Sequence, residues 1–146
     1  MSVNGRHGSP VSVQRHYADL WEAIAARFGD QQALSHGARI VSWADFEQRS
    51  ARLAGAIGAG GIRAGDAVAT YLYNCPEYLE IFFAAIKIRA VPANVNYRYT
   101  SDELLALLDN AQAKALFFDA ALRERVDAVS DRLASKFHVG GGCDGV

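Results

Sequence analysis

The chain has 146 residues, 51% of them hydrophobic and 21% charged, which fits one globular α/β domain with a real core and excludes a disordered chain. Fifteen basic against sixteen acidic side chains leave a formal net charge of −1, so no strong positive field invites nucleic acid. Cys75 and Cys143 are too few and too far apart for a disulfide framework, and the polar start, residues 1–12, lacks the apolar run of a secretory signal; a reducing, cytoplasmic setting is expected.

Residues 1–12 read as a flexible arm. Tyr17, Leu20, Trp21, Ile24, Ala25 and Phe28 then recur at helical spacing and predict an amphipathic helix over 13–28, stopped by Gly29-Asp30. Ala33-Leu34-Ser35 and Arg39-Ile40-Val41 flank Gly37 and predict a short hairpin. Trp43, Phe46, Leu53 and Ile57 mark one face of a second helix, with Ser42 as N-cap and Asp45 three residues on. The turn-bounded, mostly apolar run Asp66–Tyr73 predicts a central parallel strand. Pro76 suits the first turn of the helix that carries Tyr78, Leu79, Phe82, Phe83 and Ile86.

A short strand follows at 90–93, then a helix behind a Thr100/Glu103 capping box, then a strand at 114–118, a helix at 121–134 and a strand starting at 136–139. From residue 66 the order is βαβαβαβ, which predicts a mostly parallel sheet with right-handed crossovers and flanking helices behind an N-terminal hairpin. The apolar stretch 78–92 is broken by Glu80, Lys87 and Arg89 and is shorter than the roughly 20 residues of a membrane span. The expected organisation is an arm at 1–12, one α/β domain at 13–139 and a Gly-rich tail at 140–146; ending one strand into a new unit reads as a truncation.

Few residues point to chemistry. Gly58-Ala59-Gly60-Gly61 follows a helix and precedes a strand, the reverse of a phosphate loop, and reads as a helix stop. Gly140-Gly141-Gly142 follows a strand, but no Lys-Ser/Thr pair comes after it. His7, His16, His36 and His138 are scattered, and His138 with Cys143 falls short of a zinc ligand set. Cys75 lies beside a helix N-terminus, where a thiol can be activated, or is simply a small loop residue. Phe82, Phe83, Phe117 and Phe118 read as core.

Two places remain as candidates. Asn74 follows a strand, where ligands of open α/β sheets bind, although Asn74 or Cys75 could instead cap the next helix. The loop Asn94, Val95, Asn96, Tyr97, Arg98, Tyr99 also follows a strand and mixes amides, aromatics and a guanidinium; it could meet an acyl substrate or a partner subunit, or be a packed lead-in to the Thr100 cap. No catalytic residue, cofactor site or metal site is identified from the residues themselves.

The stretch Gly65-Asp66-Ala67-Val68 through Leu72-Tyr73-Asn74-Cys75-Pro76-Glu77 resembles the Gly-Asp-Arg-Val to Leu-x-Asn-x-Pro-Glu segment of AMP-forming acyl-CoA synthetases. Ala85-Ile86-Lys87-Ile88-Arg89-Ala90-Val91-Pro92-Ala93-Asn94-Val95-Asn96-Tyr97-Arg98-Tyr99-Thr100 is similar to a second segment of that family, and Val41–Phe46, Asp102-Glu103-Leu104 and Ala113–Leu116 match before and after, in unbroken order from about Tyr17 to Phe118. The Val-Asn-Tyr-Arg-Tyr wording resembles the fatty-acyl type. The resemblance implies the N-terminal subdomain of the adenylate-forming fold, part of an enzyme that joins a fatty acid or other carboxylate to ATP as acyl-AMP and then to coenzyme A, with Mg²⁺ screening charge. In the family the phosphate loop and the catalytic lysine lie in segments with no counterpart here, so the resemblance implies a ligase fragment, inactive alone, with ATP, Mg²⁺ and coenzyme A as cofactors of the longer proteins only.

Two alternatives follow from the same reading. The chain could be a non-catalytic module that binds a full-length synthetase through a face left bare, or one half of a split enzyme. Arg89 is the local departure: the family generally has Gly there, and a need for positive φ would strain the arginine.

Overall fold

The computed structural model describes residues 16–132 and 138–141. The helix α1 (Tyr17–Phe28) opens at His16, whose ring accepts a hydrogen bond from the Ala18 N–H while the Asp19 carboxylate answers the His16 N–H. The expected start of this helix at 13 falls on residues outside those described. A hairpin of β1 (Gln32–His36) and β2 (Arg39–Ser42) follows, turned at Gly37 with φ 57°, a left-handed position that glycine occupies without strain. The Ser42 hydroxyl accepts from the Asp45 N–H at 3.1 Å and starts α2 (Trp43–Ala59), as its sequence position predicts.

The rest of the chain winds around β3 (Ala67–Tyr71), every residue of which is buried. After it come α3 (Pro76–Lys87), β4 (Val91–Asn94), α4 (Ser101–Asn110), β5 (Ala113–Phe118), α5 (Arg123–Asp127) and β6 (His138–Gly141). The strands form one sheet in the order β4-β3-β5-β6, all neighbours parallel. Side-chain alternation along β3 divides the core. Ala67, Ala69 and Tyr71 pack with Leu104, Leu105 and Leu108 of α4 and Val126 of α5. Val68 and Leu72 pack with Ala54 and Ile57 of α2 and Ile81, Ala84 and Ala85 of α3.

The sheet is therefore covered on both faces, as a parallel sheet requires. The chain runs from β3 out to β4, then back past β3 to β5. The connection leaving β3 goes to one face and the connection leaving β5 goes to the other, so the winding reverses between these two strands.

A third cluster fastens the N-terminal elements. Trp21 lies 4.7 Å from Phe83, ring centre to ring centre, and Phe46 stacks on Phe83 at 5.4 Å and 17°. Phe46 and Phe83 are almost wholly buried, and burial of a phenylalanine is worth about 1.5–3 kcal/mol. Phe118 is also buried, while Phe82 and Phe117 are half-buried at the margins of the core.

Two expectations need correction. The helix expected at 121–134 is broken: among its described residues only Arg123–Asp127 is α-helical, between 3₁₀ turns at Ala120–Leu122 and Ser130–Arg132, and its expected end at 133–134 lies outside the described residues. The Asp119 side chain and carbonyl accept from Ala121 and Leu122, at 2.9 and 2.8 Å, and tighten the first turn. The strand expected at 66–73 ends at Tyr71, which leaves Tyr73 and Asn74 exposed beyond it.

Candidate functional site

The reversal of winding puts the carboxyl ends of β3, β4 and β5 along one edge of the sheet, where ligands of open α/β folds bind. A cleft of about 490 Å³ opens beyond β3, between the hairpin and the start of α3. Ala33, Leu34 and His36 form one wall, and Asn74, Tyr78 and Leu79 the other. Asn74 is thus an exposed amide at the mouth of a largely apolar cleft.

The capping alternative for Asn74 and Cys75 is not what the structure has. Cys75 occupies the N-cap position of α3 and makes no side-chain cap. It is also disulfide-bonded, so the expectation of two unlinked thiols is corrected and Cys75 is no free nucleophile. The start of α3 has no side-chain cap: Pro76 removes one of the donors that would need a partner, and the Tyr78 N–H bonds the Cys75 carbonyl at 3.1 Å.

The second candidate, the loop after β4, lies on the same edge. Asn94 ends β4 and is exposed, and Val95 is buried with its N–H on the Thr70 carbonyl at 2.9 Å. The Asn96 side chain accepts from the Arg98 N–H at 3.0 Å, and the Tyr99 N–H closes the turn onto the Asn96 carbonyl at 2.9 Å. Tyr97 and Tyr99 are half-buried against the α4 core. The Tyr97 ring meets Tyr73 at 5.0 Å, and the exposed Arg98 guanidinium lies 5.5 Å from the same ring. The two candidates thus belong to one edge, joined by Tyr73, which sits next to Asn74.

Residues that the sequence reading passed over hold this edge in shape. The Tyr71 hydroxyl, wholly buried, donates to the Tyr99 carbonyl at 2.7 Å. One guanidinium nitrogen of Arg125 reaches the Tyr97 and Tyr99 carbonyls at 2.8 and 3.1 Å and the Tyr71 hydroxyl at 3.2 Å. No local pattern marks Arg125, because its partners are carbonyls 26 to 28 residues away. A second set fixes the cleft wall: Glu77 of α3 bonds Arg39 of the hairpin, and Arg49 of α2 joins Glu77 at 3.6 Å and Glu80 at 2.8 Å. The bond to Glu80 holds the Arg49 guanidinium above its ordinary range, against the cost of burial.

On the far side of α3, Lys87 bridges Glu22 of α1 at 2.5 Å and Glu47 of α2 at 2.6 Å. Burial works against its charge, but the hydrogen bonds that it donates to Glu22 and Glu47 prevail and raise its pKa.

Chemically the edge can bind and orient. It offers amides, aromatic faces and exposed guanidiniums, among them Arg98 over Tyr97; among the described residues no group of three or more His, Cys, Asp or Glu could hold a metal. Among the described residues no helix is long and apolar enough to cross a membrane.

The comparisons with known proteins agree with the sequence motifs. The sequence profile of the AMP-binding enzyme family matches residues 21–140. The chain is 37% identical over 109 residues to the 3-oxocholest-4-en-26-oate–CoA ligase of Rhodococcus rhodochrous, covering 75% of this chain and 20% of that protein. It is 32% identical to the long-chain-fatty-acid–CoA ligase of Thermus thermophilus, covering 88% of this chain and 25% of that one. A solved structure from Rhodopseudomonas palustris, assigned as a long-chain-fatty-acid CoA ligase, superposes with a TM-score of 0.83 at 28% identity, over 90% of this chain and 34% of that chain. The chain therefore spans a fifth to a quarter of these two curated relatives' length. With the profile covering most of its length and the same fold in the solved relative, the chain belongs to the AMP-binding enzyme family, and corresponds to the N-terminal region of its acyl-CoA ligases.

Proposed function

We propose that this chain supplies the N-terminal α/β portion of an ATP-dependent fatty-acyl-CoA synthetase and does not complete the reaction alone. In this reading, ATP and a carboxylate give acyl-AMP and pyrophosphate, and coenzyme A then displaces AMP. The chain contributes the scaffold and one wall of the site. The observation that carries the reading is the shared edge: the Asn74 cleft and the loop from Asn94 to Tyr99 lie together at the carboxyl ends of β3 and β4, on a fold matched by acyl-CoA ligases.

The reading that the chain is inactive by itself is supported by chemistry. Acyl-adenylate formation needs positioned cations and donors around the α-phosphate of ATP. The guanidiniums of the described edge are engaged with the protein itself, Arg98 over Tyr97, Arg123 over Phe118 and Arg125 on backbone carbonyls, and the partly buried Lys87 is committed to two glutamates on another side of α3. ATP and coenzyme A as co-substrates imply an intracellular reaction.

The test has two arms. Purified chain is assayed for pyrophosphate release with ATP, Mg²⁺, coenzyme A and a panel of fatty acids, beside a full-length synthetase. No release is expected; release that depends on the fatty acid and survives further purification would overturn inactivity. In the second arm this chain replaces the corresponding segment of a full-length ligase. Retained acyl-CoA formation is expected, and a folded chimera without activity would overturn the scaffold role.

A further inference from the structure

Arg89 follows the last turn of α3 in a left-handed conformation, φ 63°. Its N–H bonds the Ile86 carbonyl and the Ala90 N–H bonds the Ala85 carbonyl, both at 2.9 Å, which closes the helix in the way that usually calls for glycine. A long side chain in this position is strained by about 1–2 kcal/mol, and strain of this kind persists where something else holds it.

What holds it is on α1. One Arg89 nitrogen lies 2.8 Å from His16 Nδ1, and the other lies 3.1 Å from Asp19 Oδ1. The second Asp19 oxygen accepts the His16 N–H at 3.0 Å, and His16 Nδ1 also faces the Ala18 N–H at 3.2 Å. A guanidinium and a backbone N–H can only donate. His16 Nδ1 must therefore be the acceptor of both, with its proton on Nε2. Adding a proton to Nδ1 destroys both bonds together and sets an imidazolium against Arg89.

We propose that His16, Asp19 and Arg89 form a proton-sensitive clasp that fastens the start of α1 to the junction between α3 and β4, and that it opens when His16 Nδ1 takes up a proton. The charged groups at the ring are Arg89, 2.8 Å from Nδ1, and Asp19, which pairs with Arg89 at 3.1 Å. The sign is fixed by the acceptor role: the closed clasp needs the neutral ring, so it is complete at higher pH and is lost on acidification. Opening frees the turn that seats Ala18 and Trp21 on the aromatic cluster of Phe46 and Phe83, while the parallel sheet stays intact.

The experiment uses the full 146-residue chain. Nitrogen NMR of the His16 ring at pH 7.5 should show the Nε2–H form. Amide exchange over residues 17–21 should then speed up about tenfold relative to the sheet between pH 7.5 and 5.5, the scale of losing one helix cap and one exposed hydrogen bond to a charged group. His16→Asn keeps an acceptor at the cap but cannot titrate there, so its exchange ratio should stay flat. Arg89→Gly should leave the cap and reduce the pH response. An Nδ1–H ring at pH 7.5, or the same pH response in wild type and His16→Asn, would overturn the clasp.

Discussion

The two helices that leave the carboxyl edge of the sheet, α3 and α4, begin in opposite ways. At α4 the Thr100 hydroxyl accepts from the Glu103 N–H at 3.4 Å, and the Glu103 carboxylate accepts from the Thr100 N–H at 2.8 Å. Donors at that start are answered locally, by residues three apart. At α3 no side chain caps, and the start is held from a distance by Glu77 and Glu80 reaching Arg39 and Arg49. The difference teaches where the fold is self-sufficient and where it has been left open. The α4 start is satisfied by its own cap; the start beside the Asn74 cleft has no side-chain cap and is tied to the hairpin and α2 by a charge network.

Breaking that network should have the largest effect. Arg49→Met leaves Glu80, whose side chain is 6% exposed, without its 2.8 Å partner. Removing one member of a buried ion pair costs about 3–5 kcal/mol; because Arg49 is 40% exposed, a loss of about 2 kcal/mol is expected. Urea unfolding of the two proteins side by side measures it, and a loss below about 0.5 kcal/mol would mean that water already supports Glu80.

At α4 the expected effect is smaller. Thr100→Ala should cost about 1 kcal/mol, the ordinary loss for a helix cap, in the same unfolding experiment. The pH response sharpens the contrast. The Thr100 N–H, with its hydroxyl second, holds the Glu103 carboxyl below its usual 4.5. A depressed carboxyl stabilises the fold above the unfolded value and loses that contribution as the pH drops through the folded one. Wild type should therefore lose α4 protection below about pH 4.5, and Thr100→Ala should lose less over the same window, because it has less to lose.

This contrast also explains what could be read from the sequence. The α4 start was legible because a capping box is a local pattern, Thr100 and Glu103 at a fixed spacing. The hairpin turn at Gly37, the α2 cap at Ser42 and the parallel strands were legible for the same reason: each depends on near neighbours or on a period along the chain. Asn74 and the loop from Asn94 to Tyr99 could be placed after strands, but their meeting through Tyr73 and Tyr97 depends on β3 and β4 lying side by side. Arg39, Arg49 and Arg125 carried no signal at all, since an arginine on an amphipathic element looks like any solvated charge until its partner 26 or more residues away is in place. The broken helix at 120–132 was missed because Leu122, Val126 and Val129 keep a helical spacing across the 3₁₀ turns.

The ends of α3 and α4 supply the smallest and most discriminating comparison. Both helices close on a non-glycine residue with positive φ, Arg89 at 63° and Gln112 at 49°. Each N–H turns back into its helix, Arg89 to Ile86 and Gln112 to Asp109. Glycine would remove a left-handed penalty of about 1 kcal/mol at either site, and its freer unfolded chain would take back about half of that. Gln112 is exposed and no side-chain hydrogen bond involves it, so Gln112→Gly should stabilise the chain by about 0.5 kcal/mol. Arg89→Gly gains the same relief but gives up its bonds to His16 and Asp19, so it should gain less or lose stability near neutral pH. The gap between the two variants should narrow under conditions that protonate the His16 ring, because the His16 bond to Arg89 is then lost in wild type. Equal gains under both conditions would mean that the arginine at this helix end holds nothing, and that its strain has no compensating contact.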